Sequence, residues 1–164
     1  METESIINFH RPFGVYGLLE QDKKLLVINK NCGPYINRYD LPGGSLEERE
    51  TLAAALKREF MEETGLYVEV VQQIGAFDFM VNTNWREGTL VHHIAIFYLV
   101  RKLGGSLIVP DIFEGQDSLG TAWVSKDDVD GKNASPLVLK AFDYLRTNAV
   151  SVQADIYDKW EVKL

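Results

Sequence analysis

Runs of β-branched and apolar residues alternate along this chain with polar turns bearing Gly and Pro, and in two stretches the spacing widens to that of a helix. Residues 1–12 are polar, carry Pro12 and read as a loose lead-in. Residues 13–20 and 24–29 read as two strands joined by the polar Gln21-Asp22 turn, and the LLVIN of the second suits a buried strand. A loop over 31–38, with Gly33 and Pro34, leads to a short strand before Pro42. After a helix over 51–65, residues 66–71 begin a strand carried on by 74–80, 82–88 is a polar loop and 90–101 the longest strand. Gly104-Gly105 turns the chain into 107–109; 110–120 is irregular, 121–124 is strand and 125–128 a helical turn. Ser135 caps a second helix over 136–146, with Pro136 at the first position, where a missing N–H costs nothing. This order predicts an α/β fold, a mixed sheet between helices, in a single domain over residues 1–164.

From Val150 the apolar residues fall on even positions: Val150, Val152, Ala154, Ile156, then Trp160, Val162 and Leu164, with Asp158 the exception. Period two predicts a C-terminal strand extension over 150–164 with one buried face, and Asp158-Lys159 a turn or bulge within it. Such a strand must pair, either with the domain's own sheet or across a two-fold axis in a homodimer.

The helix over 51–65 breaks the usual division of faces. Thr51 caps its start and Gly65 its end. At about 100° per residue, Leu52, Ala55, Leu56 and Phe60 form one apolar stripe, and Glu59 and Glu63 fall about 20° either side of Leu52. Glu62 lies beside them, at roughly 80°. Carboxylates converging on a core-facing stripe repel one another and lose solvation. A cation relieves both. The ligands on offer are hard oxygens, with no Cys/His cluster nearby, so the ion is Mg²⁺ or Mn²⁺. The tight Leu41-Pro42-Gly43-Gly44 loop brings bare backbone carbonyls to the same point.

Gly44, Glu50, Arg58-Glu59-Phe60, Glu62-Glu63 and Gly65-Leu66, with five, seven, one and one residues between successive groups, resemble a complete Nudix (MutT-type) box. Chance alone yields such a pattern in on the order of one chain in ten million. Phe60 departs slightly, since the family usually has an aliphatic residue there. The resemblance implies an α/β/α sandwich and metal-dependent hydrolysis of nucleoside diphosphates linked to another group, by water attack on phosphorus across a P–O–P bridge. It implies Glu59, Glu62, Glu63 and the Gly43 carbonyl as metal ligands. Arg58, pointed away from the metal side, joins Glu50 in a bidentate pair that holds those ligands in place. The general base is a box glutamate or an acid from a later loop, here Glu114; a solvated loop acid is an equal reading of Glu114. None of the downstream signatures of the family's NADH, coenzyme A or ADP-ribose branches is evident, so a nucleoside di- or triphosphate derivative is the expected small-molecule substrate. A catalytically silent Nudix-fold sensor is the alternative, and the intact set of acids favours the enzyme.

Charge and cysteine content narrow the setting. With 24 acidic against 17 basic residues the net charge is −7, which disfavours sequence-independent binding to nucleic acid or anionic membrane. Bound metal ions would still reverse the local field for a phosphate-bearing molecule. The lone Cys32 fits a reducing cytoplasm. METESIINFH lacks the basic start and apolar stretch of a signal peptide, and 94–100 is too short to span a bilayer. Trp85 and Arg86 offer a base-stacking and phosphate-binding pair, with surface packing the plainer reading of Trp85; Tyr39 and Phe79 are further candidates to line the pocket. His92 and His93 adjoin on a strand, so they face opposite sides and do not share a metal.

Overall fold

The computed structural model describes residues 7–86, 88–108 and 118–164. The chain opens with β1 (Asn8–His10) and β2 (Phe13–Leu18), which lie end to end alongside the same neighbour. β3 (Glu20–Gln21), β4 (Lys24–Lys30), β5 (Tyr39–Asp40) and β6 (Gly43–Gly44) lead to helix α1 (Leu52–Thr64). Two long strands follow, β7 (Leu66–Thr83) and β8 (Thr89–Gly105), then β9 (Ser118–Ser125), a 3₁₀ turn (Lys126–Asp128), helix α2 (Pro136–Thr147) and β10 (Asp155–Trp160). The larger sheet runs β10-β7-β8-β2-β6 with β1 also on β8; the smaller joins β3, β4 and β5, with β9 on β4. β2 and β10 lie parallel to their neighbours β8 and β7, whereas β7 and β8 are antiparallel, so the large sheet is mixed, as expected.

Strand alternation builds the two layers that flank it. Along β2 and β8, Val15, Tyr98 and Val100 pack with Ala55, Leu56 and Phe60 of α1. Their neighbours Tyr16, Leu18, Ala95 and Phe97 turn to the opposite side, with Leu137, Val138, Ala141 and Phe142 of α2. The result is an α/β/α sandwich. Phe60, unusual at its position, is accommodated by Gly17: a Cβ there would stand 2.7 Å from the Phe60 ring. Among the described residues no helix is long and apolar enough to cross a membrane.

Several expectations need correction. Residues 8–10 are a strand on β8, because their backbone completes that edge, and so do not belong to a loose lead-in. The strand expected to begin over 66–71 and carry on over 74–80 is indeed one, carried past Val70, Gln72 and Gln73 by shifts in register that absorb the polar break, and it runs on to Thr83. Leu107 and Ile108 lie outside any strand, and most of the expected loop over 110–120 lies outside the described residues. The tail adds to its own sheet as β10, which meets the need for a pairing partner. Its buried face is not continuous: Val150, Val152, Ile156 and Leu164 are exposed, while Trp160 and Val162 are buried. The register shift between Tyr157 and Trp160, at the foreseen Asp158-Lys159 bulge, turns the face over.

Candidate active site

Helix α1 delivers the acids. The Thr51 hydroxyl accepts from the Ala54 N–H at 3.2 Å, and Gly65 closes the helix in the left-handed conformation with φ 80°. Gly43, at φ 148°, admits no side chain: its Cβ would fall 2.1 Å from the Val15 carbonyl oxygen. At Gly44 a Cβ would meet the Glu59 carboxyl carbon at 2.9 Å. Both glycines are therefore fixed by close approach, one to β2 and one to an acid of the box.

Arg58 organises the exposed side of this cluster. Its Nε and Nη2 donate to the two oxygens of Glu50, each at 2.8 Å, and Nη2 also donates to the Ser45 carbonyl at 3.0 Å. That fork holds the Glu50 carboxyl down to a pKa of about 2, helped by the Glu47 amide. The expected Arg58–Glu50 pair is thus present. Arg58 also does more than point away from the acids, since Nη1 donates to Glu59 at 2.9 Å and Glu62 at 3.2 Å. As they stand, no three His, Cys, Asp or Glu side chains among the described residues are gathered closely enough to hold a metal ion. Two of the three box acids are turned to Arg58 instead.

Glu63 differs. It is 3% exposed, and neither carboxyl oxygen has a hydrogen-bond partner. Burial pushes its pKa well above the usual carboxylate range; Glu59 and Asp40 add to the rise, while Lys30 and the nearby Gly43 amide oppose it. An orphaned buried carboxylate beside a second one is a donor set that a hard divalent cation fits.

Beside this cluster, bordered by Gly44 and Ser45, opens a cavity of about 350 Å³. Trp85 and Arg86 line it, with the Arg86 guanidinium 4.4 Å from the Trp85 ring centre. Phe79 does not: it is fully buried on the α2 side, behind His93, because β7 alternation sends it into the core. Tyr39 is also absent from the lining, tied by its backbone to Asn133 and Ser135. Glu114 lies outside the described residues. His92 and His93 do face opposite ways: His92 reaches Asp78 at 2.8 Å, and His93 lines the cavity with Tyr16, Tyr35 and Lys30. Tyr16, Tyr35 and Lys30 went unrecognised in the sequence, where no spacing or motif joins residues from β2, β4 and a loop.

The profile of the NUDIX domain family matches residues 8–145. An ADP-ribose pyrophosphatase of Methanocaldococcus jannaschii is 32% identical over 102 residues, which cover 62% of this chain and 57% of that protein. A MutT-like protein of Streptomyces ambofaciens is 26% identical over 128 residues, 78% of this chain and 72% of that one. In three dimensions the fold resembles a MutT NUDIX hydrolase from Burkholderia pseudomallei, with TM-score 0.63, 21% identity and coverage of 82% and 97%. The MutT protein of Methanosarcina mazei Go1 superposes with TM-score 0.60 at 22% identity, covering 88% and 99%. With the family profile spanning most of its length and the box glycines and acids in place, this chain belongs to the NUDIX domain family.

Proposed function

We propose that this protein is a divalent-metal-dependent pyrophosphohydrolase, cleaving the P–O–P bridge of a nucleoside diphosphate derivative by water attack on phosphorus. The observation that carries it is Glu63, buried with both oxygens unpartnered at the end of the box helix. Glu63, Glu59 and Glu62, with the Gly43 carbonyl, are the groups that would hold Mg²⁺ or Mn²⁺. When bound there, the ion neutralises diphosphate charge and acidifies water. Arg58, forked on Glu50 and touching Glu59 and Glu62, is the positioning residue that sets the acids' rotamers. Lys30, which lines the cavity, supplies a protein cation for the phosphates. As the water oxygen bonds to phosphorus and the bridging oxygen departs, a box glutamate or Glu114 accepts the water's proton. The ADP-ribose pyrophosphatase name of the Methanocaldococcus jannaschii relative makes nucleoside diphosphate sugars the first substrates to try.

The test is a hydrolysis screen over nucleotides, dinucleotides and nucleotide sugars in Mg²⁺, in Mn²⁺ and in chelator, run in ¹⁸O-labelled water. Metal-dependent release with label in one phosphate product is expected. Nucleotide binding without any hydrolysis would assign the chain to the silent sensors instead.

A further inference from the structure

A second cavity, of about 440 Å³, lies where the tail crosses Arg38 and the Gly131-Lys132 turn. It shares no lining residue with the cavity beside the box acids. Its charged lining is Arg38, Lys132, Lys159 and Lys163 against the single acid Glu161. In a chain with 24 acids and 17 bases that ratio is inverted, so the local field opposes the net charge of −7.

Arg38 is the built part of this lining. It is 5% exposed, yet no carboxylate among the described residues pairs with its guanidinium. Nε donates to the Gly131 carbonyl at 3.2 Å and Nη1 to the Glu161 carbonyl at 2.7 Å. The group lies 4.3 Å from the centre of the Trp160 ring, which is itself anchored by Nε1 donating to the Pro34 carbonyl at 3.0 Å. Nη2 bonds to no protein group. It is not sealed from water either: among the described residues only the Glu63 oxygens are both buried and unpartnered, so Nη2 opens on the cavity. Burial lowers the Arg38 pKa, and the Glu161 carboxylate opposes that without forming an ion pair. The ammonium groups of Lys132 and Lys159 have no partner among the described residues, and Lys163 uses one of its three hydrogens on the Lys132 carbonyl at 2.7 Å. Asp130, beside this turn, accepts from the Lys132 N–H at 2.8 Å and lies outside the cavity lining. Folding alone gives no reason to bring four cations to one cavity, where they repel, or to bury one of them without a counter-charge.

We infer that this cavity is an anion site apart from the box acids, and that its ligand carries a phosphate group, which Arg38 Nη2 and the ammonium groups of Lys132, Lys159 and Lys163 engage through its oxygens. Phosphate suits the lining better than a carboxylate does. Its charge of nearly two and its three oxygens engage several cations at once, with arginine as the directional donor and the lysines as point charges. Free phosphate, pyrophosphate and the phosphates of a nucleotide share this chemistry. The site calls for no metal and does not depend on the hydrolase assignment.

Titration calorimetry in chelator, with phosphate, pyrophosphate and ADP as probes, tests this. Pyrophosphate binds wild type, and the double variant Lys132→Ala/Lys159→Ala weakens it by about 10-fold or more at unchanged melting temperature, since both side chains are exposed and unpaired. Arg38→Lys keeps the charge, loses the fork and weakens binding about as much; should it fold poorly, the lysine pair still decides. Glu161→Gln removes the one opposing acid and tightens binding by about 2- to 5-fold. Lys30→Ala, in the other cavity, retains a site of wild-type affinity. So does Lys102→Ala/Lys126→Ala, an equal change of charge at exposed residues that line neither cavity. ADP binding no tighter than pyrophosphate marks free phosphates as the source of the ligand; tighter binding, lost in the Lys132→Ala/Lys159→Ala variant, marks a nucleotide. The site is overturned, with hydrolysis untouched, if pyrophosphate does not bind wild type at millimolar concentration, binds the Lys132→Ala/Lys159→Ala variant as tightly, weakens equally in Lys102→Ala/Lys126→Ala, or is lost altogether with Lys30→Ala.

Discussion

Asp40 and Glu63 are carboxylates with almost no exposed surface, 1% and 3%, yet the protein provides for one and not for the other. Asp40 accepts from the Ser135 hydroxyl at 2.7 Å and the Leu41 N–H at 2.9 Å, and Lys30 Nζ stands 4.0 Å away. Ser135 in turn caps α2 by accepting from Val138 N–H. Asp40 thus ties β5 to α2, and its charge is answered within the fold. Glu63, one helix away, has neither a hydrogen bond nor water-facing surface. Burial of an acid is therefore not in itself a sign of function. Unfilled bonding capacity is, because folding alone gives no reason to keep a buried carboxylate without a partner.

The largest expected effect separates the two acids directly. Glu63→Gln keeps the shape and removes the charge, so turnover in Mg²⁺ falls by about 10² or more. Its melting temperature without metal stays at or above that of wild type, since no hydrogen bond is lost. Added Mg²⁺ raises the melting temperature of wild type and leaves the variant unmoved. Wild-type turnover in Glu63→Gln would remove this residue from the site.

The reverse pattern is expected at Asp40. Asp40→Ala deprives the Leu41 N–H and the Ser135 hydroxyl of their acceptor, at a cost of about 1–3 kcal/mol in chemical denaturation. The thermal response to Mg²⁺ persists in that variant. A variant that kept its stability and lost the metal response would exchange the roles of the two acids.

Much of the box side of this comparison is legible in the sequence because it is local. Thr51, the apolar stripe, Glu50 and Arg58 eight residues apart, and Gly65 all act within one helix and the turn ahead of it. The orphaned state of Glu63 is not local, since it depends on how elements distant in sequence enclose it. The cavity is less legible still. Tyr16 meets His93 only because β2 runs parallel to β8 in the register that sets Phe13 beside Ile94, and Tyr35 arrives from a loop. Hydrophobic spacing within a segment carries no information about pairing between segments. Phe60 shows the same boundary: its departure from the family pattern is visible in the chain, but the Gly17 that makes room for it is not identifiable without the fold. In the tail, period two correctly predicts a strand, while the bulge before Trp160 redistributes which side is buried.

His93 is a third buried ionisable group, partnered like Asp40 but held neutral, and it carries the smallest expected effect. Its folded pKa of about 3 lies below the ordinary 6.5, first through burial and then through Lys30 and His10. Between those values the unfolded chain binds a proton that the folded chain does not, so stability falls as pH drops through 6.5 toward 3 and is fully present above that window. Glu63 works in the opposite sense: its raised pKa makes the folded chain the better proton binder, so acidification favours folding there. Wild type alone shows only the sum. Comparing it with His93→Gln cancels the Glu63 contribution, which both proteins share, provided chelator keeps metal from the acids. The variant should lose less stability on acidification, by about 1 kcal/mol from pH 6.5 to 5.5 and about 1.4 kcal/mol for each further unit. Denaturant curves at stepped pH supply the measurement, the slope against pH being the quantity read, since the substitution also lowers stability at every pH by breaking two hydrogen bonds. Parallel pH dependences in the two proteins would mean that His93 takes up its proton in the folded state as readily as in the unfolded one. His93 would then be cationic below neutrality, with Nε2 donating to the Tyr16 hydroxyl oxygen and Nδ1 to that of Tyr35.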